Sequence, residues 1–147
     1  MSETTCVTVT REDRFRFLID FGPGVPEIVG DEPPPLGSGA GPSPEGLLAA
    51  AVANCMCSSL VFALNKFKGD PGRLTATATC KTERNESNRL RVTHIRLDIA
   101  LGAPPDGLPH LDRALAQFEE FCTVSQSVRA GVPLTVNVLG PDGRTLK

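Results

Sequence analysis

An α+β fold, with antiparallel sheets packed around one long buried helix, is what this sequence predicts. Three observations carry the prediction. Residues 14–21 place Phe15, Phe17, Ile19 and Phe21 on one face at a period of two, as a half-buried strand does. Residues 47–53, Leu-Leu-Ala-Ala-Ala-Val-Ala, follow a strong helix start and are apolar on every side. Strand patterns then return at 73–81, 89–101 and 134–139, with a helical stretch before the last of them. At 147 residues the chain has the usual size of one domain, so residues 1–147 are read as a single unit. A chain of this length buries roughly 68–70% of its unfolded surface and folds without disulfide staples.

Taken in order, residues 6–10 and 14–21 read as two strands joined by a tight turn near Glu12 and Asp13. Residues 22–44 are dense in Gly and Pro, which excludes a regular helix; a connection this long is functional or pinned, with room for a short strand at 25–29. Ser43-Pro44-Glu45 then starts the central helix. Ser43 caps free amides, Pro44 suits the first helical position, and Glu45 favours the positive end of the dipole. The helix runs to about Lys68 and stops before Gly69-Asp70-Pro71-Gly72. Residues 73–81 alternate Thr75, Thr77 and Thr79 against Ala76, Ala78 and Cys80. In residues 89–101 the apolar parity changes between Val92 and Ile95, which predicts a bulge or bend near His94. A loop at 104–109 leads into a helix with Leu111, Leu115, Phe118 and Cys122 on one stripe, extending with room for a break to Ala130, and Leu134–Leu139 closes the fold.

Composition narrows the function classes. Fifteen Lys plus Arg against 17 Asp plus Glu give a formal net charge of −2, so there is no broad cationic surface for phosphates, and Trp and Tyr are absent as stacking platforms. Nucleic acid is therefore a poor partner. The first ten residues lack a basic segment leading into an apolar one, and no apolar run reads as a membrane span, so a cytoplasmic, membrane-free protein is expected. No Cys-x-x-Cys occurs, and His94 and His110 sit near no cysteine in sequence, so neither a metal site nor a cofactor is expected.

The chemistry, if any, lies in the thiols. Cys55 shares a helix face with Leu47, Leu48, Ala51, Ser58 and Phe62, a face expected to point into the core. A thiol buried this way is normally inert, so a small hydrophobe and a reactive group both fit it. Cys122 ends the apolar stripe of the second helix and carries the same two readings. Were the two to meet, they would form a peroxidatic and a resolving pair. Cys57 points about 200° away from Cys55 around the helix and is expected to pack in the core. Cys6 and Cys80, in strands, are expected to be structural.

The run Gly41-Pro42-Ser43-Pro44-Glu45-Gly46-Leu47-Leu48-Ala49-Ala50-Ala51-Val52-Ala53-Asn54-Cys55 resembles the first signature of the OsmC/Ohr family, the osmotically inducible and organic hydroperoxide resistance proteins. Asp31-Glu32-Pro33-Pro34-Pro35-Leu36-Gly37 is similar to a stretch of its OsmC-like branch. Glu119-Glu120-Phe121-Cys122-Thr123-Val124-Ser125 resembles the second signature, with Thr123 where the family has Pro. The order of elements fits along nearly the whole chain.

That resemblance implies an OsmC-like fold, an intertwined homodimer, and a thiol peroxidase that reduces organic hydroperoxides and is restored by a thiol or dithiol. It places Cys55 on the peroxidatic cysteine, Cys122 on the resolving one, and Glu45 on a glutamate that pairs with a thiolate-holding arginine of the first hairpin. The family's Gly-Gly-Arg loop is replaced here by Arg11-Glu12-Asp13-Arg14, which leaves Arg14 nearest by position and Arg11 next. Glu45 and Cys55 stand ten residues apart on one helix, about 15 Å along its axis, so Glu45 reaches the thiol only from the antiparallel helix of a second subunit. The rival expectation is a non-catalytic relative that uses the dimer groove to bind an apolar or thiol ligand.

Overall fold

The alternation near the N-terminus becomes a hairpin in the computed structural model, which describes residues 1–147. Strands β1 (Thr8–Asp13) and β2 (Arg16–Asp20) pair antiparallel, and β3 (Ile28–Gly30) adds to the other side of β2. The turn falls at Arg14 and Phe15, later than predicted, with Arg14 in the left-handed region at φ 49°. β1 is an edge strand, and its charged continuation Arg11-Glu12-Asp13 stays in solvent, as edges allow. The Phe15, Phe17, Ile19 face does not close into a core. Ile19 is buried and Phe15 exposed, and with Val9, Phe17, Pro42 and Leu47 they line an apolar recess of about 320 Å³.

The Gly- and Pro-rich connection is pinned by one carboxylate. Buried Asp31 accepts the Glu32 N–H at 2.8 Å, the Ser38 hydroxyl at 2.7 Å, and the Ser38 and Ala40 N–H groups at 3.1 Å each. The Ser38 hydroxyl first, then the Ala40 amide, hold its pKa at about 2. A side chain at Gly37 would meet the Glu32 carbonyl at 2.2 Å, so only glycine fits inside this loop.

Helix α1 (Pro44–Asn65) begins as predicted, with the Ser43 hydroxyl accepting the Gly46 N–H at 3.1 Å. Its burial differs from the prediction. The buried stripe is Ala49, Val52, Met56, Ser59, Leu60, Ala63 and Leu64, whereas Ala51, Asn54, Ser58 and Phe62 are exposed. The helix is apolar on all sides, so periodicity alone does not select the face that packs. At mean hydropathy 2.1 over 18 residues, α1 is long and apolar enough to cross a membrane, against the expectation above. Its stripe is nonetheless committed to the protein's own core, with Met56, Leu60 and Leu64 wholly inaccessible.

The chain groups into two compact units, Met1–Leu48 and Ala49–Lys147. The larger unit holds the main core, in which Met56, Leu60 and Leu64 meet Leu97, Ile99, Leu115, Phe118, Cys122 and Val138. Its sheet has the order β4 (Thr75–Arg84), β5 (Leu90–Ala100), β6 (Leu134–Leu139). β4 and β5 are antiparallel with a register shift that pairs Lys81 with His94 but Thr82 with Val92, the predicted bulge beside His94. β6 runs parallel to β5, so this sheet is mixed rather than wholly antiparallel. The intervening helical crossover returns the chain in the same direction, as parallel pairing requires.

That crossover is broken where it matters. After a 3-10 turn at Pro105–Gly107, α2 (Leu111–Gln117) gives way to a second 3-10 turn, Phe118–Phe121. Cys122 is then extended, at φ −82° and ψ 99°, and caps α3 (Thr123–Arg129). Glu119 fixes the turn, accepting from Arg129 Nη2 at 2.9 Å and pairing with Lys147. Burial alone would raise its carboxyl, but hydrogen bonds from Lys147 and Arg129 hold it below the usual range.

Candidate functional site

Cys55 and Cys57 lie on either side of Met56, the centre of the buried stripe of α1. A helix turns 100° per residue, so each sits at an edge of the packed face rather than deep within it. Cys55 is half-buried and faces an open pocket of about 410 Å³, lined by Ser58, Ser59, Phe62 and Phe121. The face predicted to point into the core is therefore the one that opens to solvent. Cys57 packs against the main core, as expected, and that core also holds Cys122. Burial pushes its thiol up, and the charge that Cys122 would carry adds to the rise.

Cys122 is fully buried, and it neighbours Cys55 closely enough that its thiol pushes the Cys55 pKa up. The break in the crossover produces this meeting. An unbroken helix would carry Cys122 on as one more stripe residue; extended instead, it offers its sulfur to the first amides of α3. The Ser125 N–H lies 3.4 Å from Cys122 Sγ, and Cys122 serves as the N-cap.

The neighbouring amides serve Cys55. Desolvation raises its pKa most, and the adjacent Cys122 raises it further, first through the thiol contact and then through charge. The nearby Val124 and Thr123 amides act in the opposite direction, favouring the thiolate. The net shift is upward, so the surroundings described keep Cys55 protonated at neutral pH. A nucleophile here needs further positive charge, or a substrate that changes the solvation of the sulfur.

Arg14 and Glu45 belong to the smaller unit. Arg14 Nη2 donates to the Leu36 carbonyl at 3.1 Å, and Arg11 Nε donates to the Arg14 carbonyl at 2.9 Å, so each has a partner within its own hairpin and loop. Glu45 occupies the first turn of α1, half-buried.

Sequence reasoning missed the aromatic wall. Phe121 meets Phe62 edge to face, with centroids 5.4 Å apart and planes at 81°. Lys66 Nζ stands 4.7 Å from the Phe121 centroid and 5.5 Å from that of Phe62. The spacing 55, 58, 59, 62 along one helix was a usable signal for the α1 part of this wall; Phe121 had none, because it enters from the 3-10 turn.

The sequence profile of the family described as OsmC-like protein matches residues 37–137. Among solved structures, an OsmC-like protein of unknown function from Vibrio cholerae is 19% identical, with TM-score 0.76 over 95% of this chain and 100% of that one. An organic hydroperoxide resistance protein OsmC from Legionella pneumophila is 20% identical, with TM-score 0.71 over 92% and 96%. The organic hydroperoxide resistance protein OhrB of Bacillus subtilis is 20% identical, with TM-score 0.67 over 92% and 98%. At these identities the likeness is one of fold. No curated protein sequence matches the chain.

Proposed function

This chain belongs to the family of OsmC-like proteins, and from that premise we propose that it is a thiol peroxidase reducing organic hydroperoxides, with Cys55 attacking and Cys122 resolving. The observation that carries the reading is a half-buried thiol at the wall of an apolar pocket with a second, buried thiol neighbouring it on the same core. The Cys55 thiolate attacks the distal oxygen of R–O–O–H. The O–O bond breaks, the alkoxide leaves and takes up a proton as the alcohol, and the sulfur, having given up two electrons, becomes a sulfenic acid. The Cys122 sulfur then displaces water from it, forming the disulfide. A dithiol supplies two electrons and two protons to restore both thiols. The pocket walls favour organic over hydrogen peroxide, because Phe62 and Phe121 offer apolar surface to an R group.

The positive charge that Cys55 needs is assigned to Arg14, held in place by Glu45, in a site shared with a second subunit of a homodimer. Supporting this, the exposed side of α1 carries the small side chains Ala51, Asn54 and Ser58, which allow another helix to approach closely. Glu45 lies about 15 Å from Cys55 along their shared helix, too far to act within one chain. The proposed setting is the cytoplasm, where both thiols stay reduced between turnovers. One observation favours the rival reading of a ligand-binding, non-catalytic protein: burial raises the Cys55 pKa.

Turnover separates the two. With cumene hydroperoxide and a dithiol, the wild-type protein is expected to consume peroxide catalytically. Cys55→Ser abolishes consumption, and Cys122→Ser turns over poorly while accumulating Cys55 sulfenic acid, trapped by dimedone. Peroxide loss no faster than the dithiol alone produces leaves the binding reading standing.

A further inference from the structure

Glu119 holds the 3-10 turn before Cys122 by side chain and backbone together. Its carbonyl accepts the Cys122 N–H at 3.2 Å and the Gln126 side-chain amide at 3.0 Å. Each of its carboxylate oxygens takes one cation, Arg129 on one side and Lys147 on the other. Arg129, in the last turn of α3, ties the turn forward to the helix that Cys122 caps. Lys147 ties it to the core and the sheet. The same ammonium donates to the Leu115 carbonyl of α2 at 2.8 Å and stands 4.9 Å from the centre of the buried Phe118 ring. The Lys147 backbone is fixed in turn, its carbonyl accepting the Val138 N–H of β6 at 2.8 Å. A line of contacts thus runs from β6 through Lys147 and Glu119 to the Cys122 amide. The pocket wall has other anchors: Phe121 lies edge to face on Phe62 of α1 and under the Lys66 ammonium.

We propose that Lys147 is a positioning residue for the resolving step, holding the turn through Glu119 so that the Cys122 sulfur is presented to the Cys55 sulfenic acid. This rests on the peroxidase reading and deepens it. In that step the Cys122 thiolate attacks the Cys55 sulfur and the S–O bond breaks. Hydroxide leaves and takes up the proton that the Cys122 thiol gave up, as water. A disulfide forms only over a narrow range of separations and dihedral angles, so a small displacement of the turn costs rate steeply. Lys147 does not line the Cys55 pocket, and attack on the peroxide does not call on it.

The test follows the two steps separately in single-turnover reactions with cumene hydroperoxide. Dimedone capture on the Cys55 peptide reads sulfenic acid formation, and mass spectrometry of quenched samples reads disulfide closure. Lys147→Met keeps the apolar stem over Phe118 and loses the charge. Its sulfenic acid is expected to form at the wild-type rate and to close about tenfold more slowly. Glu119→Gln slows closure likewise, and Lys147→Arg, which keeps the ion pair, restores it. Closure at the wild-type rate in both Lys147→Met and Glu119→Gln overturns the proposal. So does an equal loss of both steps with a lowered melting temperature, the mark of a general structural role. A wild-type protein that forms no sulfenic acid overturns the peroxidase reading instead. Closure is then followed from a Cys55–glutathione mixed disulfide, made with oxidised glutathione, as Cys122 displaces the glutathione. A slowing by Lys147→Met in that exchange sustains the positioning role, and an unchanged rate overturns it.

Discussion

Thr123 occupies the first helical position of α3, directly after the extended Cys122, and its backbone N–H lies where it favours the Cys55 thiolate. Proline suits that position, since its ring presets the required φ, and the preceding residue already has the extended conformation that proline demands. Thr123→Pro therefore removes one donor to the thiolate while leaving the helix start intact. The sign follows from the charge: losing a donor to the anion raises the Cys55 pKa further, so the thiolate fraction at neutral pH falls. Alkylation of Cys55 by iodoacetamide, followed on its peptide by mass spectrometry, is expected to slow about tenfold at pH 7, the value of one charge-assisted hydrogen bond of ~1.4 kcal/mol. The whole profile moves to higher pH. An unchanged profile would mean that the amides of α3 do not hold this sulfur. At this scale the sequence was partly legible. Cys55 and Cys122 stood out as residues, but the amides that serve them belong to backbone geometry, which residue identity does not encode.

Among the elements, α1 is the one whose two faces do different things. One stripe fills the core through Val52, Met56, Leu60 and Leu64; the other leaves Ala51, Asn54, Ser58 and Phe62 exposed. Exposed alanine and serine in a helix of mean hydropathy 2.1 suit contact with a second copy better than contact with water. Ala51→Glu puts a charge in the middle of that contact. Sedimentation of the wild-type protein is expected to give a dimer, and that of Ala51→Glu a monomer with unchanged helix content and with peroxidase activity lost. A wild-type monomer, or a monomeric variant that keeps full activity, would refute the shared site. The start of α1 was readable because a cap acts locally, through Ser43, Pro44 and Glu45. Its orientation was not, because an all-apolar helix gives periodicity nothing to distinguish. For the same reason Cys55, placed inside by pattern, lies at a pocket wall. The second helix was read with room for a break, but the stripe Leu111, Leu115, Phe118, Cys122 keeps helical spacing through a 3-10 turn and so hid where the break falls.

Across the whole molecule, the order of strands and helices followed from local signals that agree with one another: Gly and Pro at the connections, a parity change at the β5 bulge, and turn residues between β4 and β5. How the strands join into sheets is a property of distant residues, and the parallel pairing of β5 with β6 appears only once the crossover is folded. The meeting of Cys55 with Cys122 is of the same kind. It depends on a helix break 67 positions along the chain from Cys55 (122 − 55), and it is the central claim about what this protein does. A stoichiometric titration of the reduced protein with cumene hydroperoxide tests that claim most directly, with free thiols counted and disulfides mapped by mass spectrometry. One equivalent per subunit is expected to consume two thiols and yield a Cys55–Cys122 bond that Cys55→Ser abolishes. Slow oxidation spread over all five cysteines, with no preferred pair, would contradict it.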